Sequence, residues 1–201
     1  MRKGLLIRLA GAVAVVALML PGVASAALAL GGVKGTDGTG RNFVDLVFTE
    51  TAPTENEGLF AYDIAARIVR PGGVTGGVNL AGIERPGDNY VLDVPSGSTF
   101  SVAENTANNV LANVSSNNDL ADITTGKKAA RIFYTIAPDA APGIYRLAFD
   151  PASTVFGSGD PNHSLEIAVA LSDTDIVVPE PAGLALLGVA SLLTLRRRRA
   201  A

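Results

Sequence analysis

Leu59-Phe60-Ala61-Tyr62-Asp63-Ile64-Ala65-Ala66-Arg67-Ile68 sets an apolar side chain at every second position. Successive side chains of an extended strand point to opposite faces. Phe60, Tyr62, Ile64, Ala66 and Ile68 therefore predict one buried face, while Asp63 and Arg67 turn the other way. A period of two is the mark of a strand with one side on a core.

Working outward, the same kind of stretch recurs. Residues 43–49 form a mostly apolar strand, and further strands are expected at 74–80, 90–94, 98–103, 129–136, 143–149 and 165–171. Clusters of Gly, Pro, Asn and Asp separate them at spacings near ten residues, which fits a meander or Greek key. Pro138 to Gly143 supplies turn chemistry between two strands through a Pro-Asp and a Pro-Gly step. The fold class that follows is all-β, a single β-sandwich of jelly-roll or Greek-key type over residues 41–177. Residues 104–116 fit either a short helix or an irregular loop. Gly157-Ser158-Gly159 reads as a flexible turn, and residues 27–40, rich in glycine, read as a flexible lead-in.

Composition narrows the functional classes. The chain has 201 residues and no cysteine, so neither a disulfide nor a thiolate metal site is available and stability must come from burial alone. Between Ala27 and Val178 nine basic residues face eighteen acidic ones, although the whole chain carries only −3, because the remaining basic residues sit at the two ends. Duplex binding needs clustered Lys and Arg, so nucleic acid is excluded as a partner. An acidic surface suits a soluble extracellular protein or one that gathers cations.

The ends read as addresses. Arg2, Lys3 and Arg8 precede an apolar run over 9–20, broken by Pro21 and Gly22 before Ala24-Ser25-Ala26. This is the layout of a signal peptide over residues 1–26, with the small residues Ala24 and Ala26 placing cleavage after Ala26; an uncleaved N-terminal anchor is the alternative. At the other end, residues 182–195 are almost all apolar and are followed by Arg196, Arg197, Arg198 and Arg199. Arginine is costly in hydrocarbon and favoured on the cytoplasmic side, so this block would stop transfer and leave the domain outside.

Val178-Pro179-Glu180-Pro181, the apolar helix after it and the terminal arginines together resemble the PEP-CTERM sorting signal of exosortase substrates, over residues 178–201. The resemblance implies recognition by an integral-membrane transpeptidase, removal of the tail and delivery to the cell surface or beyond, often in bacteria that build an exopolysaccharide matrix. The two prolines hold an extended segment that cannot join the following helix, and a protease reads extended backbone. A plain tail anchor is the competing reading. In the middle, Leu59 to Ile64, residues 129–136 and Ala141-Pro142-Gly143-Ile144-Tyr145-Arg146-Leu147 with Phe149-Asp150 look like cohesin-type and related carbohydrate-module sandwiches of the immunoglobulin-like kind. That resemblance implies the fold, and for a cohesin a dockerin partner.

Catalytic signatures are sparse. His163 is the one histidine, in the polar run Asp160-Pro161-Asn162-His163-Ser164, and there is no Gly-x-Ser-x-Gly elbow. One histidine and no cysteine are too few for the usual zinc sets. Calcium takes carboxylates, so Asp119 with Asp122, Asp150 with Asp160, or Asp173 with Asp175 could contribute, though none has EF-hand spacing. A glycosidase needs two carboxylates paired in space, which sequence cannot place. Tryptophan is absent, and Tyr62, Tyr90, Tyr134 and Tyr145 fall in expected strands, where they read as packing residues. No catalytic, cofactor-binding or metal residue is therefore assigned and no cofactor is expected; calcium is the one ion these carboxylates could take, and solvated turn carboxylates are the competing reading.

These readings combine into a non-enzymatic extracellular matrix or surface protein. It is exported as an inner-membrane-anchored precursor, handled by signal peptidase and an exosortase-type transpeptidase, and then sits at the cell surface or outside. Extracellular polysaccharide or matrix proteins are the expected partners. A binding module for carbohydrate or for another protein is the alternative, and an enzyme on matrix polysaccharide a third.

Overall fold

The computed structural model describes residues 28–51, 58–73, 76–159 and 166–180. Among them eleven strands form two facing sheets: β1 Leu28–Thr36, β2 Asn42–Glu50, β3 Leu59–Val69, β4 Val78–Glu84, β5 Ser98–Asn105, β6 Asn109–Ser116, β7 Lys128–Ile136, β8 Gly143–Phe149, β9 Val155–Ser158, β10 Val169–Leu171 and β11 Thr174–Val178. Sheet A runs β10-β1-β2-β7-β4, and sheet B runs β11-β8-β3-β6-β5 with β9 beside β8 on β3. All pairings are antiparallel except the short β1–β10 pair. The protein is a β-sandwich, as the alternation in β3 requires.

The buried face of β3 is the expected one apart from its first member. Leu59 pairs with Ser158 and Ala61 with Gly157, so Phe60 is an extra, bulged residue. A bulge shifts the alternation by one. Leu59 is fully buried and Phe60 is 37% exposed, while Tyr62, Ile64, Ala66 and Ile68 keep the inward face.

Several other expectations are corrected. The glycine-rich lead-in is strand β1, paired along its length with β2 from Leu28↔Glu50 to Thr36↔Asn42. Its glycines are steric requirements: a Cβ on Gly32 would run into Thr174 and Val44, and one on Gly35 would meet the Phe43 ring. The connecting turn is pinned too, since the Asp37 carboxylate accepts from Thr39 N at 2.9 Å, Thr39 Oγ1 at 2.7 Å and Arg41 N at 2.9 Å. The Thr39 hydroxyl, and then the Arg41 amide, hold that carboxyl well below the usual range. Residues 104–116 contain β6, not a helix. Gly157 and Ser158 belong to β9 instead of a free turn, with Ser158 buried.

The segment expected as a strand at 90–94 buries Tyr90, Val91 and Leu92 but makes only a single bridge, Tyr90↔Lys128. The strand expected at 74–80 begins at Val78, and the one expected at 165–171 reduces, among described residues, to Val169–Leu171. Near-ten-residue spacing locates apolar stretches without telling a ladder partner from a buried turn.

One cluster fills the space between the sheets, from Leu30, Phe48 and Ile132 of sheet A to Tyr62, Ile64 and Leu147 of sheet B. Phe156 centres its aromatic part, 5.6 Å from the Phe48 ring edge-on and 5.8 Å from the Tyr62 ring. All four tyrosines are buried. The polar tip of Tyr62 reaches across the core. In β7 the register slips between Leu46↔Ala130 and Val47↔Lys128, which leaves Ala129 without a partner on β2. Its carbonyl accepts from the Tyr62 hydroxyl at 2.6 Å, and the Tyr90 hydroxyl lies 3.2 Å from the Tyr62 hydroxyl oxygen.

Burial raises the pKa of both tyrosines, Tyr62 the more strongly. A phenol whose folded pKa is raised adds stability that is complete below its unfolded pKa, about 10. That stability is lost as pH climbs from there through the folded value. Tyr62→Phe should cost about 1–3 kcal/mol, because it leaves a buried carbonyl and the Tyr90 hydroxyl without this partner. Urea unfolding at pH 8 and pH 11 checks this: the wild type should lose stability between the two, and the variant should lose less.

Candidate docking face

Two outer faces remain once the core is closed, and their chemistry differs. On sheet A the charges are spent on one another. Asp45 of β2 is buried and takes a bidentate pair of hydrogen bonds from Arg131 of β7, at 2.6 and 2.8 Å, with Lys128 Nζ at 2.9 Å. Lys128 also bridges to Asp88 at 2.8 Å. The Arg131 guanidinium lies 3.9 Å over the Phe43 ring, the Arg41 guanidinium 3.9 Å over Phe133, and the two rings meet edge-on at 6.3 Å. Arg41 reaches Glu84 at 3.6 Å. Because β2 and β7 are paired with Asp45 opposite Arg131 and Phe43 opposite Phe133, the ladder register itself builds this belt.

Burial acts to raise the Asp45 pKa, but the hydrogen bonds and charges of Arg131 and Lys128 outweigh it and hold the carboxyl below its ordinary value. A carboxyl depressed in this way adds stability above the unfolded carboxyl range that is lost as pH falls through the folded value.

Sheet B is only partly sealed: Arg146 pairs with Asp175 at 3.1 Å and Asp63 accepts from Asn113 Nδ2 at 2.7 Å. Its outer face is set by Ala61, Asp63, Ala65, Arg67 and Val69 of β3, flanked by Asn109, Leu111 and Asn113 of β6 and by Arg146 and Ala148 of β8. Arg67 and Glu104 form no ion pair among the described residues. They border a shallow depression of about 300 Å³ floored by Ala65 and edged by Asn109, Leu111, Asp150 and Ser153.

The floor is rigid for a local reason. β8 pairs with β3 at 66–69 and β9 at 59–63, so Ala65 falls in the gap between them. The Thr154 hydroxyl fills the missing ladder position, accepting from Ala65 N at 3.1 Å and donating to Ala65 O at 3.2 Å. Asp150 N donates to the same carbonyl at 3.0 Å. An unsatisfied strand is thereby closed by a side chain.

The residues singled out from sequence divide as follows. Val178 is the last residue of β11, buried and paired with Gly143, so it belongs to the sandwich. Pro179 and Glu180 follow it and are exposed. Pro181, Ala24, Ala26, Arg196, Arg197, Arg198 and Arg199 lie outside the described residues, as do Asp160 and His163. Of the carboxylates considered for calcium, Asp119 accepts from Ser96 N at 2.8 Å, Asp175 pairs with Arg146 at 3.1 Å, and Asp150 holds its own turn through Ala152 N and Ser153 Oγ. No group of three or more His, Asp or Glu suited to a metal occurs among the described residues. Among those residues, too, no helix is long and apolar enough to cross a membrane.

Sequence reasoning turned Asp63 and Arg67 outward but missed Glu104, Asn109 and Leu111. The signal was present: Val110, Ala112 and Val114 alternate inward, which turns Asn109, Leu111 and Asn113 to the open face.

The solved structures to which the chain is similar include cohesin domains. The chain is similar to the seventh ScaB type I cohesin of Pseudobacteroides cellulosolvens, at 16% identity over 76% of this chain and 94% of that one, with a TM-score of 0.53. A ScaB cohesin of R. flavefaciens, solved with a group 1 dockerin, aligns at 15% identity over 79% and 99% with a TM-score of 0.51. A type I cohesin of Clostridium thermocellum, solved in a cohesin–dockerin complex, aligns at 16% over 75% and 96% with a TM-score of 0.50. No protein-family model and no curated protein matches the chain. The likeness is one of fold: this is a β-sandwich of cohesin architecture.

Asp45→Asn should cost about 1.5–3 kcal/mol at neutral pH, since Arg131 and Lys128 lose a charged acceptor. Urea unfolding at pH 7 and pH 3 reads both effects: the wild type should weaken on acidification and the variant should weaken less.

Proposed function

We propose that this chain is an exported, non-enzymatic protein-binding module of the cohesin kind that meets its partner on the outer face of sheet B. The observation that carries the reading is the contrast between the faces: the charges of the sheet A belt pair with one another, whereas on sheet B Arg67 and Glu104 border a preformed depression and form no ion pair among the described residues. A charge left unpaired on a rigid floor is available to a partner's complementary group. The occupant is a protein module, and the dockerins solved with cohesins of R. flavefaciens and C. thermocellum are the chemical precedent.

Two other readings fare less well. Sugar platforms stack on exposed aromatic faces, yet the four tyrosines are buried and tryptophan is absent. Polysaccharide hydrolysis needs two carboxylates with divided acid and base roles. Glu104 and Asp150 both border the depression, but Asp150 has committed both oxygens to its own turn.

The address belongs to the same proposal. Ala24 and Ala26 mark a signal peptidase site, and the Pro179-Glu180-Pro181 tail marks a PEP-CTERM signal whose processing delivers the module to an extracellular matrix. Exposure of Pro179 and Glu180 directly after the last strand supports access by a transpeptidase.

Binding is tested with a panel of purified dockerin modules and with proteins extracted from the native matrix, each captured partner then being purified and titrated by calorimetry. Arg67→Glu should weaken the interaction by about tenfold or more, equivalent to about 1.4 kcal/mol, while Val33→Glu on the outer face of sheet A should leave it unchanged. Equal loss in both variants would move the site off sheet B, and binding only to a glycan array would replace a protein partner with a sugar. Sorting is read separately: without the cognate transpeptidase the chain should stay cell-associated at precursor size, and unchanged release would remove that part of the proposal.

A further inference from the structure

The end of the sandwich from which the chain departs carries an apolar step that the packing does not use. Val177 is 57% exposed, Ile144 54% and Val69 42%. Val177 lies opposite Ile144 in the β11–β8 ladder, and Val69 lies opposite Arg146 two residues further along β8, so all three share the outer surface of sheet B at one margin. The charges beside them cancel, since Arg146 and Asp175 pair at 3.1 Å. The result is apolar surface with no net charge next to it.

Chain length fixes what lies near this step. β11 ends at Val178, and residues 182–195 are almost wholly apolar. Four extended residues from Val178 to Ala182 span at most about 14 Å. Whatever holds residue 182 must therefore stand within that reach of Val177 and Ile144. Charge is distributed to match. The connections at this end hold Asp37 and Asp139 with Arg41 and Arg70, in balance, whereas the described connections at the far end hold Asp88, Asp93, Asp119 and Asp122 with only Arg85 and Lys127, an excess of two acids. Anionic lipid surfaces repel such an end and tolerate a balanced one.

We propose that in the full-length chain the Val69–Ile144–Val177 step rests in the interfacial layer of the bilayer that holds residues 182–195. The sandwich then stands on the membrane with its acidic end outermost. Apolar side chains beside a membrane-held segment gain by burial at the headgroup boundary, as in other interfacial contacts. This rests on the reading of the tail as a membrane-held sorting segment. It adds a consequence for the docking face: Arg146 and the β8 margin are covered by lipid in the precursor and freed when the tail is removed.

The absence of cysteine makes the test clean, because one introduced thiol carries the only label. Full-length Ile144→Cys and, at the far end, Asp122→Cys are each labelled with an environment-sensitive fluorophore and reconstituted into phosphatidylcholine vesicles containing phosphatidylglycerol and brominated lipid. Flotation reports anchoring independently of the dye. The expected result is that both chains float, that the dye at 144 shifts to the blue and is quenched by brominated lipid, and that the dye at 122 does neither. Adding Val177→Lys should return the 144 dye to an aqueous spectrum without loss of flotation. Flotation with an aqueous spectrum at 144, or with equal quenching at both positions, would overturn the proposal and leave the anchor intact. A blue shift that follows protein concentration, without lipid quenching, would assign the step to a second copy of the chain. Failure to float would remove the anchor reading itself.

Discussion

The Tyr62 hydroxyl donating across the core to the Ala129 carbonyl is the contact around which this sandwich is organised. No disulfide can join the sheets, so their separation and register depend on burial and on this polar clasp. The clasp depends on the β3 alternation that turns Tyr62 inward with Ile64, and on a bulge at Ala129 that frees a carbonyl to meet it. Phe156, packed against both Phe48 and Tyr62, holds the phenol in line. Bulges elsewhere mark functional devices, and this one fits one sheet to the other.

From that closure follows the division between the faces. The β2–β7 register places Asp45 against Arg131 and Phe43 against Phe133, which seals sheet A with cation–π stacking and ion pairs. The β3 surface cannot be sealed in the same way, because its neighbour changes from β9 to β8 along its length and the gap is bridged by Thr154. An interrupted ladder with alanine at its centre gives a firm, shallow floor. Firm floors with unpaired charge at the margin suit recognition of a folded partner better than enclosure of a small molecule.

Much of the fold was legible in advance and rather less of the face. The alternation in β3 gave an all-β sandwich, and β2, β5, β7 and β8 fell close to where their Val, Ile, Phe and Tyr content put them. β1 was misread because Gly31, Gly32 and Gly35 mimic a linker, whereas two of them are demanded by Thr174 and Phe43 packing above them. Arg67 could be turned outward from parity. Glu104 could not, since its place depends on a bulge between Val102 and Glu104 in β5.

Sequence alone determined what is local: strand character, the missing thiols, the acidic excess and the composition of both ends. These follow from residue type and spacing along one chain. Only the tertiary structure decided which charges cancel. Asp45 and Arg131 are far apart in sequence and bonded in space, while Arg67 and Glu104 meet no such partner among the described residues. Pairing across strands is fixed by register, register by bulges and core shape, and none of these is a property of a single segment.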